Sequence, residues 1–358
     1  MSKSQPVLSP VRESHRFDEA ALQSYLRNKL PGAEQEIAVQ QFQGGQSNPT
    51  FLLTTPAGRY VLRKKPPGKL LPSAHQVERE YQVMTALQGS SVPVPVTRLL
   101  CEESEIIGTP FYIMDHVEGR VLDMPNLAEL SVDERSGIYT SMAATLANLH
   151  SVDWRQVGLS DFGKEGNYYS RQIQRWSKQY LASCDEPAGG PEGASAMARL
   201  MEWLPHNIPD DAATGIAHGD YRIGNLIIHP HNPEVSAVLD WELATLGHPL
   251  ADLAYCCIPY HLPCGQNGIK GLQGLDLAAA GIPSEAAFIE AYCRNVGRGE
   301  IRHWNFYLAF SLFRLAAILQ GVYSRSLQGN ASSNNARQVG ARAGLLAVTA
   351  WKLATSQA

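Results

Sequence analysis

The chain has 358 residues, of which 44% are apolar and 18% charged, and its formal net charge is −4. That length accommodates two domains or two lobes with a full core, and the balance excludes wholesale disorder. A mildly acidic chain is not a general nucleic-acid binder, although a local basic pocket for phosphates is compatible with it.

Residues 1–15 read as a flexible tail. FDEAALQSYLRNKL (17–30) has helical spacing and stops at Pro31-Gly32. Strands are expected at 36–43, 50–55 and 59–64, separated by GGQSNP and TPAG, which are turn sequences. HQVEREYQVMTAL (75–87) returns to helical periodicity, VPVPV (92–96) is extended because of its prolines, and PFYIMDHVEG (110–119) reads as a buried strand entering a connector. Residues 16–115 thus form an N-terminal lobe, a small and mostly antiparallel sheet with one internal helix. Residues 116–358 form a mainly helical C-terminal lobe. Ser131 with Glu134 makes a capping box. Further helices are expected at 168–182, 195–204, 284–296, 302–327 and 336–355. Loops rich in Gly and Pro occupy 184–194 and 263–276, the second being a mobile lid or a surface loop.

MSKSQPVLSPVRESH has no apolar segment of the signal-peptide kind, and no run of about 18 apolar residues offers a membrane span. A cytoplasmic protein without membrane or nucleic-acid partners is expected; the pattern does not specify an oligomeric state. Six cysteines, at 101, 184, 256, 257, 264 and 293, follow neither a zinc pattern nor a disulfide framework. Cys256 and Cys257 lie in an apolar run and read as buried free thiols. Histidines 218, 229 and 231 lack the acids or cysteines that would complete a zinc site.

HGDYRIGN (218–225) carries the chemistry. Asp220 is followed five positions later by Asn225, and Asp240 ends the apolar strand AVL fifteen beyond that. Phosphoryl transfer needs these residue types. One carboxylate orients the attacking hydroxyl and accepts its proton, while an amide oxygen and a second carboxylate hold Mg²⁺ at the nucleotide phosphates.

HxDxxxxN followed by a strand ending in Asp resembles the catalytic and metal loops of eukaryotic-type kinases. HGDYRIGN with LDWE resembles the aminoglycoside phosphotransferase family. The nearest branch resembles the kinase-like domains of large acyl-CoA dehydrogenases and the hydroxyacyl-CoA kinases. GGQSNPTF, YVLRKKPPGKLLPSAH, FYIMDHVEGRVL, DWELATLGHPLADLAY and FRLAAILQGVYSR occur in the kinase order, so the resemblance spans roughly residues 36 to 350. It implies an α+β, two-lobed protein-kinase-like fold, with ATP or GTP and Mg²⁺ as cofactors.

By this resemblance Asp220 is the catalytic base, and Asn225 and Asp240 are metal ligands. His218 is a packed brace for the loop. Arg222 is either a contact to the transferring phosphate or a surface residue. Glu242 is a second carboxylate near the metal or the substrate, and Asp252 anchors the catalytic loop. Gly44, Gly45, Ser47 and Asn48 stand where a phosphate-binding loop belongs, though a third glycine is missing. Arg63 and Lys64 compete to bind phosphate. They point to opposite faces of a strand, Arg63 with Val61 and Lys64 with Leu62. Alignment of YVLR favours Arg63, paired with Glu80 of the following helix, and leaves Lys64 solvated and Glu78 facing solvent. Backbone groups from Asp115 to Val117 would bind the base, with Met114 as a wall.

Helix 302–327 is apolar nearly all round, and Arg314 lies in its middle. A buried Arg needs an internal carboxylate, such as Asp252 or Glu242, or an anionic substrate group. The internal pair is the expected one. Tyr260, His261, Gln320, Tyr323 and Arg325 are candidates for the same pocket. The expected activity is transfer of the nucleotide γ-phosphate to a small-molecule hydroxyl, with a hydroxyacyl-CoA or hydroxy acid ahead of an aminoglycoside or amino alcohol. The rival of another class is a catalytically silent nucleotide-binding scaffold.

Overall fold

Short strands dominate the first third of the chain, because runs rich in Val, Leu, Thr and aromatic residues alternate with turn-forming sequence. The computed structural model describes residues 7–43, 48–68, 75–184, 186–265, 269–327 and 336–356. Strands β1 (Leu8–Ser9), β2 (Ala38–Phe42), β3 (Thr50–Thr55), β4 (Gly58–Lys64), β5 (Thr97–Cys101) and β6 (Phe111–Asp115) form one antiparallel sheet in the order β1-β2-β3-β4-β6-β5. Helices α1 (Glu19–Leu26), α2 (Val77–Leu87) and α3 (Ser104–Ile107) accompany it. Asp18 caps α1 by accepting from the Ala21 N–H at 2.9 Å. Leu22 and Leu26 of α1 share one buried cluster with Phe51, Leu53, Leu62, Phe111 and Ile113.

Strand β7 (Arg120–Val121) follows; β8 (Gly215–Ala217) and β11 (Thr245–Gly247) pair with each other, while β9 (Leu226–Ile228) and β10 (Val235–Val238) join β7 in the order β10-β9-β7. The chain divides into two compact units. The first comprises Met1–Asp123, Arg155–Leu159 and Ile223–Ala244; the second comprises Met124–Trp154, Ser160–Arg222 and Thr245–Ala358. The boundary expected between residues 115 and 116 therefore lies elsewhere, and the reason is hydrogen bonding. The Arg120 side chain donates to the His229 carbonyl at 3.1 Å, and the Val238 N–H donates to the Pro93 carbonyl at 2.9 Å. These contacts bind the β9–β10 hairpin into the first unit.

The second unit is helical: α4 (Val132–Ser151), α5 (Tyr168–Leu181), α6 (Gly190–His206), α7 (Pro249–Cys257), α8 (Leu277–Ala280), α9 (Glu285–Val296), α10 (Trp304–Leu327), α11 (Ala336–Gly340) and α12 (Ala343–Thr355). The Ser131–Glu134 capping box is present at the start of α4. By length and mean hydropathy of 1.4, α10 alone among the described helices is apolar enough to span a membrane, but 72% of that window is buried within the protein. Its apolar circumference is that of a core helix.

Three sequence expectations need correction here. Part of the 1–15 tail is structured, since Leu8 pairs with Phe42 and Arg12 donates its N–H to Gln41. The loop expected at 184–194 is already helical from Gly190. The single helix expected over 336–355 is interrupted between Gly340 and Ala343. The six cysteines are free, and burial pushes the Cys256 thiol up to about 12.

Candidate active site

Strand β4 presents two basic residues in succession, and the sheet register separates their surroundings. Arg63 stands opposite Tyr112 of β6, and Lys64 opposite Phe111. The Arg63 Nε lies 2.8 Å from the Glu80 carboxylate of α2, and its Nη2 donates to Asp240 at 2.6 Å. Glu80, 1% exposed, also accepts from the Tyr112 hydroxyl at 3.0 Å and the Asn48 amide at 2.8 Å. Burial would lower the Arg63 pKa, but the charges of Glu80 and then Asp240 outweigh it and hold the group above its ordinary value. The guanidinium is a fixed, fully charged fork.

Lys64 is not solvated as the sequence suggests. It is buried, donates to the Ile107 carbonyl at 3.0 Å, and lies 5.0 Å from the Phe17 ring centre. Helix α3, which leaves no periodic trace in the sequence, supplies that carbonyl. Burial lowers the Lys64 pKa. Glu78 pairs with Lys65 and is only partly exposed.

Asp240 ends the segment after β10 with φ +66, a left-handed conformation that Asp tolerates better than most residues. The preceding Leu239 N–H donates to the Asn225 carbonyl at 2.8 Å, which brings the two expected metal ligands into neighbouring backbone. Asn225 is 5% exposed at the end of a 3₁₀ turn, Ile223–Asn225. Their oxygens suit a hard cation. No cluster of three or more His, Cys, Asp or Glu side chains able to hold a metal exists among the described residues. Asn225 and Asp240 offer the ligand types through which Mg²⁺ is held where substrate phosphates and waters complete its octahedron. Glu242, in the turn Trp241–Leu243, adds negative charge near Arg63.

Asp220 belongs to the second unit, and the chain passes into the first between Arg222 and Ile223. The loop is fixed by its backbone. Asp252, fully buried on α7, accepts the His218 N–H at 2.5 Å and the Gly219 N–H at 2.8 Å. Gly219 has φ +83, where a side chain would be strained. The His218 ring accepts the Asp220 N–H at 3.1 Å, and the Tyr221 hydroxyl donates to the Met142 carbonyl at 2.9 Å. His218 is thus a brace, and Asp252 an anchor. Burial would raise the Asp252 carboxyl, but the hydrogen bond and charge of His150, the charge of His218 and the Gly219 N–H hold it below its usual value. The Asp220 carboxylate is 3.3 Å from Arg222 Nε and is hydrogen-bonded by the Tyr255 hydroxyl. Burial first, and then the Asp220 charge, hold that phenol well above its ordinary pKa, so it remains a donor.

Other expected residues fall in several places. Gly44, Gly45 and Ser47 lie outside the described residues. The Asn48 side chain is occupied by Glu80 and, at 3.0 Å, by His75, so it braces the ion pair rather than replacing a phosphate contact. Met114 is buried in β6. The N–H groups of Asp115 and His116 already donate to the carbonyls of Val96 and Arg59, and the Asp115 carboxylate takes both forks of Arg98 at 2.6 Å. The Val117 N–H makes no hydrogen bond among the described residues, which leaves it as the unengaged backbone donor of the expected Asp115–Val117 stretch.

The pocket candidates on the helices disperse. Gln320 is fully buried and bonds the Ala188 N–H and the carbonyls of Ser183 and Glu186, so it secures the turn before α6. The Tyr323 hydroxyl reaches Glu186 at 3.4 Å, Tyr260 donates to the Pro283 carbonyl, and His261 pairs with Glu285 at 3.0 Å. Arg314 has no carboxylate partner among the described residues and lies between Trp176 and Tyr255. Tyr112, His150, Trp176 and Tyr255 went unrecognised in the sequence. A lone aromatic or His in a helical pattern looks like any other core residue.

Residues 38–302 match the model of the phosphotransferase enzyme family. The chain is 46% identical over 353 residues to acyl-CoA dehydrogenase family member 10 of Mus musculus, covering 98% of this chain and 32% of that protein. It thus spans about a third of that relative's length. It is 47% identical to a Ralstonia eutropha protein provisionally named an aminoglycoside phosphotransferase, with TM-score 0.84 over 95% of this chain and 98% of the other. The GDP complex of aminoglycoside 2′-phosphotransferase-IIIa shares the fold at 14% identity, TM-score 0.64, over 92% and 98% of the two chains. The matched span contains the Arg63–Glu80–Asp240 network and the Asp252-anchored loop of Asp220, and this chain belongs to the phosphotransferase enzyme family, with its α+β, two-lobed kinase-like fold.

Proposed function

We propose that the protein moves the γ-phosphoryl group of ATP or GTP to the hydroxyl of a small molecule, most favourably a hydroxy acid or hydroxyacyl-CoA. The observation that carries the reading is the coupling of Arg63, Glu80 and Asp240, two short contacts to one guanidinium, with the Asn225 carbonyl bonded to the Leu239 N–H next to Asp240. Asn225 and Asp240 would hold Mg²⁺, whose charge, when bound, offsets that on the β and γ phosphates. Arg63 offsets phosphate charge from a fixed position, and Arg222, 40% exposed and paired with Asp220, supplies a second cation. Asp220 accepts the hydroxyl proton as the acceptor oxygen bonds phosphorus. The bond from phosphorus to the leaving nucleoside diphosphate breaks in the same transfer. Nucleotide use is supported by the GDP complex of a protein with the same fold, and an acyl-type acceptor by the name of the mouse relative.

Radiolabel transfer from [γ-³²P]ATP or GTP to short hydroxy acids, their CoA thioesters and amino alcohols tests the reading. Asp220→Asn is expected to lower kcat by about 10³-fold or more while nucleotide binding is retained. Turnover within about threefold of wild type would remove Asp220 from the role of base.

A further inference from the structure

Arg314 is a charge in the second unit that the site described above leaves unexplained. It sits in the middle of α10 and is 5% exposed. The carboxylate nearest to hand by sequence reasoning, Asp252, is engaged by His150 and by the N–H groups of His218 and Gly219. Among the described residues Arg314 makes no ion pair and no hydrogen bond, and its Nε is buried without an acceptor. What it has instead is aromatic. Its guanidinium carbon lies 5.7 Å from the Trp176 ring centre on α5 and 5.8 Å from that of Tyr255 on α7. Both are within cation–π range.

Rings can compensate charge, but they accept none of the five in-plane N–H bonds of the fork. Burying such a group without acceptors is costly, and an exception of this kind calls for acceptors from outside the chain, such as an ordered water, an ion or a ligand. The Tyr255 hydroxyl hydrogen-bonds Asp220, so the aromatic residue flanking Arg314 is also the one touching the expected base. From α5, α7 and α10 a single unit thus presents a buried cation, two aromatic walls and, one tyrosine away, a carboxylate.

We infer that Arg314 binds the carboxyl-derived oxygen of the phosphate acceptor, either the carboxylate of a hydroxy acid or the carbonyl of its thioester. This rests on the phosphotransferase reading of Asp220 and deepens it. Trp176 and Tyr255 cover the aliphatic chain that separates this oxygen from the hydroxyl at Asp220. Both oxygens are good in-plane acceptors for the guanidinium fork, and the carboxylate takes it in two parallel bonds. An amino alcohol or aminoglycoside would bring an ammonium toward a guanidinium that has no carboxylate partner among the described residues and is disfavoured.

The test uses the full chain with Mg²⁺ and ATP. Hydroxy acids with the hydroxyl on the second to the fifth carbon are compared with their CoA thioesters, with simple alcohols of the same length, and with amino alcohols. Wild-type kcat/KM should favour a carboxyl-bearing acceptor over its simple alcohol by roughly 100-fold or more. Arg314→Met should reduce that preference to less than about tenfold, through KM, and Arg314→Lys should lie between, because an ammonium keeps the charge but loses the fork. A folding defect lowers both numbers together and leaves their ratio unchanged, so the ratio reports the contact itself. Preference for the free acid identifies the carboxylate as the ligand, and preference for the thioester identifies the carbonyl; either supports the assignment. An undiminished ratio in Arg314→Met, or an amino alcohol as the best wild-type acceptor, overturns it. Calorimetric binding of the acids that requires Arg314, in a wild type that transfers nothing, would uphold the subsite and remove the phosphotransferase reading alone.

Discussion

Arg63 and Lys64 follow each other on β4, and alternation alone says only that they face opposite ways. The structure adds what lies opposite each: Glu80 and Asp240 for Arg63, and the Ile107 carbonyl and Phe17 for Lys64. Removing the guanidinium in Arg63→Ala leaves the Glu80 carboxylate buried without its counter-charge. The expected cost is about 3–5 kcal/mol in denaturant unfolding, with a smaller loss in Glu80→Gln/Arg63→Ala than the sum of the two single changes. Simple additivity would show that the two are not coupled. Asp252 carries a pH signature. Its folded pKa lies below the ordinary value of 3.8, so its contribution to stability is full above about pH 4 and fades as the pH falls through the lower folded value. Asp252→Asn should flatten that acid limb of the stability profile; a limb of unchanged depth would mean that other carboxylates carry it.

Elements were legible where periodicity and caps agreed. α4 begins at its capping box, and Ser131→Ala should cost about 1 kcal/mol by thermal or denaturant unfolding, because the Glu134 N–H loses its acceptor. β2, β3 and β4 appear where alternation places them. α7 escaped notice because nine residues, nearly all apolar, show no face, although Pro249 at its start and the His248 cap are proper helix signals. α3 is a single turn, and β5 follows a proline-rich stretch that masks it. The close approach of α12 to the turn before α6 was invisible for a different reason. Gly344 is an unremarked glycine in sequence, yet a Cβ there would meet the Gly189 Cα at 2.5 Å. Gly344→Ala should therefore lower the melting temperature despite the better helix propensity of alanine, and a rise would show that the backbone yields without cost.

At the scale of the whole molecule, neither compact unit is continuous in sequence. The expected boundary near residue 115 follows the change from expected strands to expected helices, whereas the observed division follows the β7–β9 pairing and the return of 223–244 to the first unit. Nucleotide binding should register as global stabilisation. Mg²⁺-nucleotide at about 100 times its Kd is expected to add about 2.7 kcal/mol, read as a rise in melting temperature. Asp240→Ala should abolish the Mg²⁺-dependent part and Asp220→Asn should keep it; equal loss in both would contradict the division of labour between metal ligand and base. The candidate chemistry-bearing residues could be picked out in the sequence because an Asp, an Asn and an Asp at this spacing resemble the catalytic and metal loops of kinases, and no packing argument is needed to recognise those types. The helical half, the sheet and the Arg63–Glu80 pairing followed from pattern and resemblance in the same way. Tertiary structure alone decided that Lys64 is buried, that Asn48 serves Glu80, that Gln320 holds a turn, and that Arg314 has aromatic neighbours in place of a carboxylate. Periodicity tells which face a side chain occupies, but a charge or amide acquires its role from the group it meets. In this chain those groups come from elements tens to hundreds of residues away.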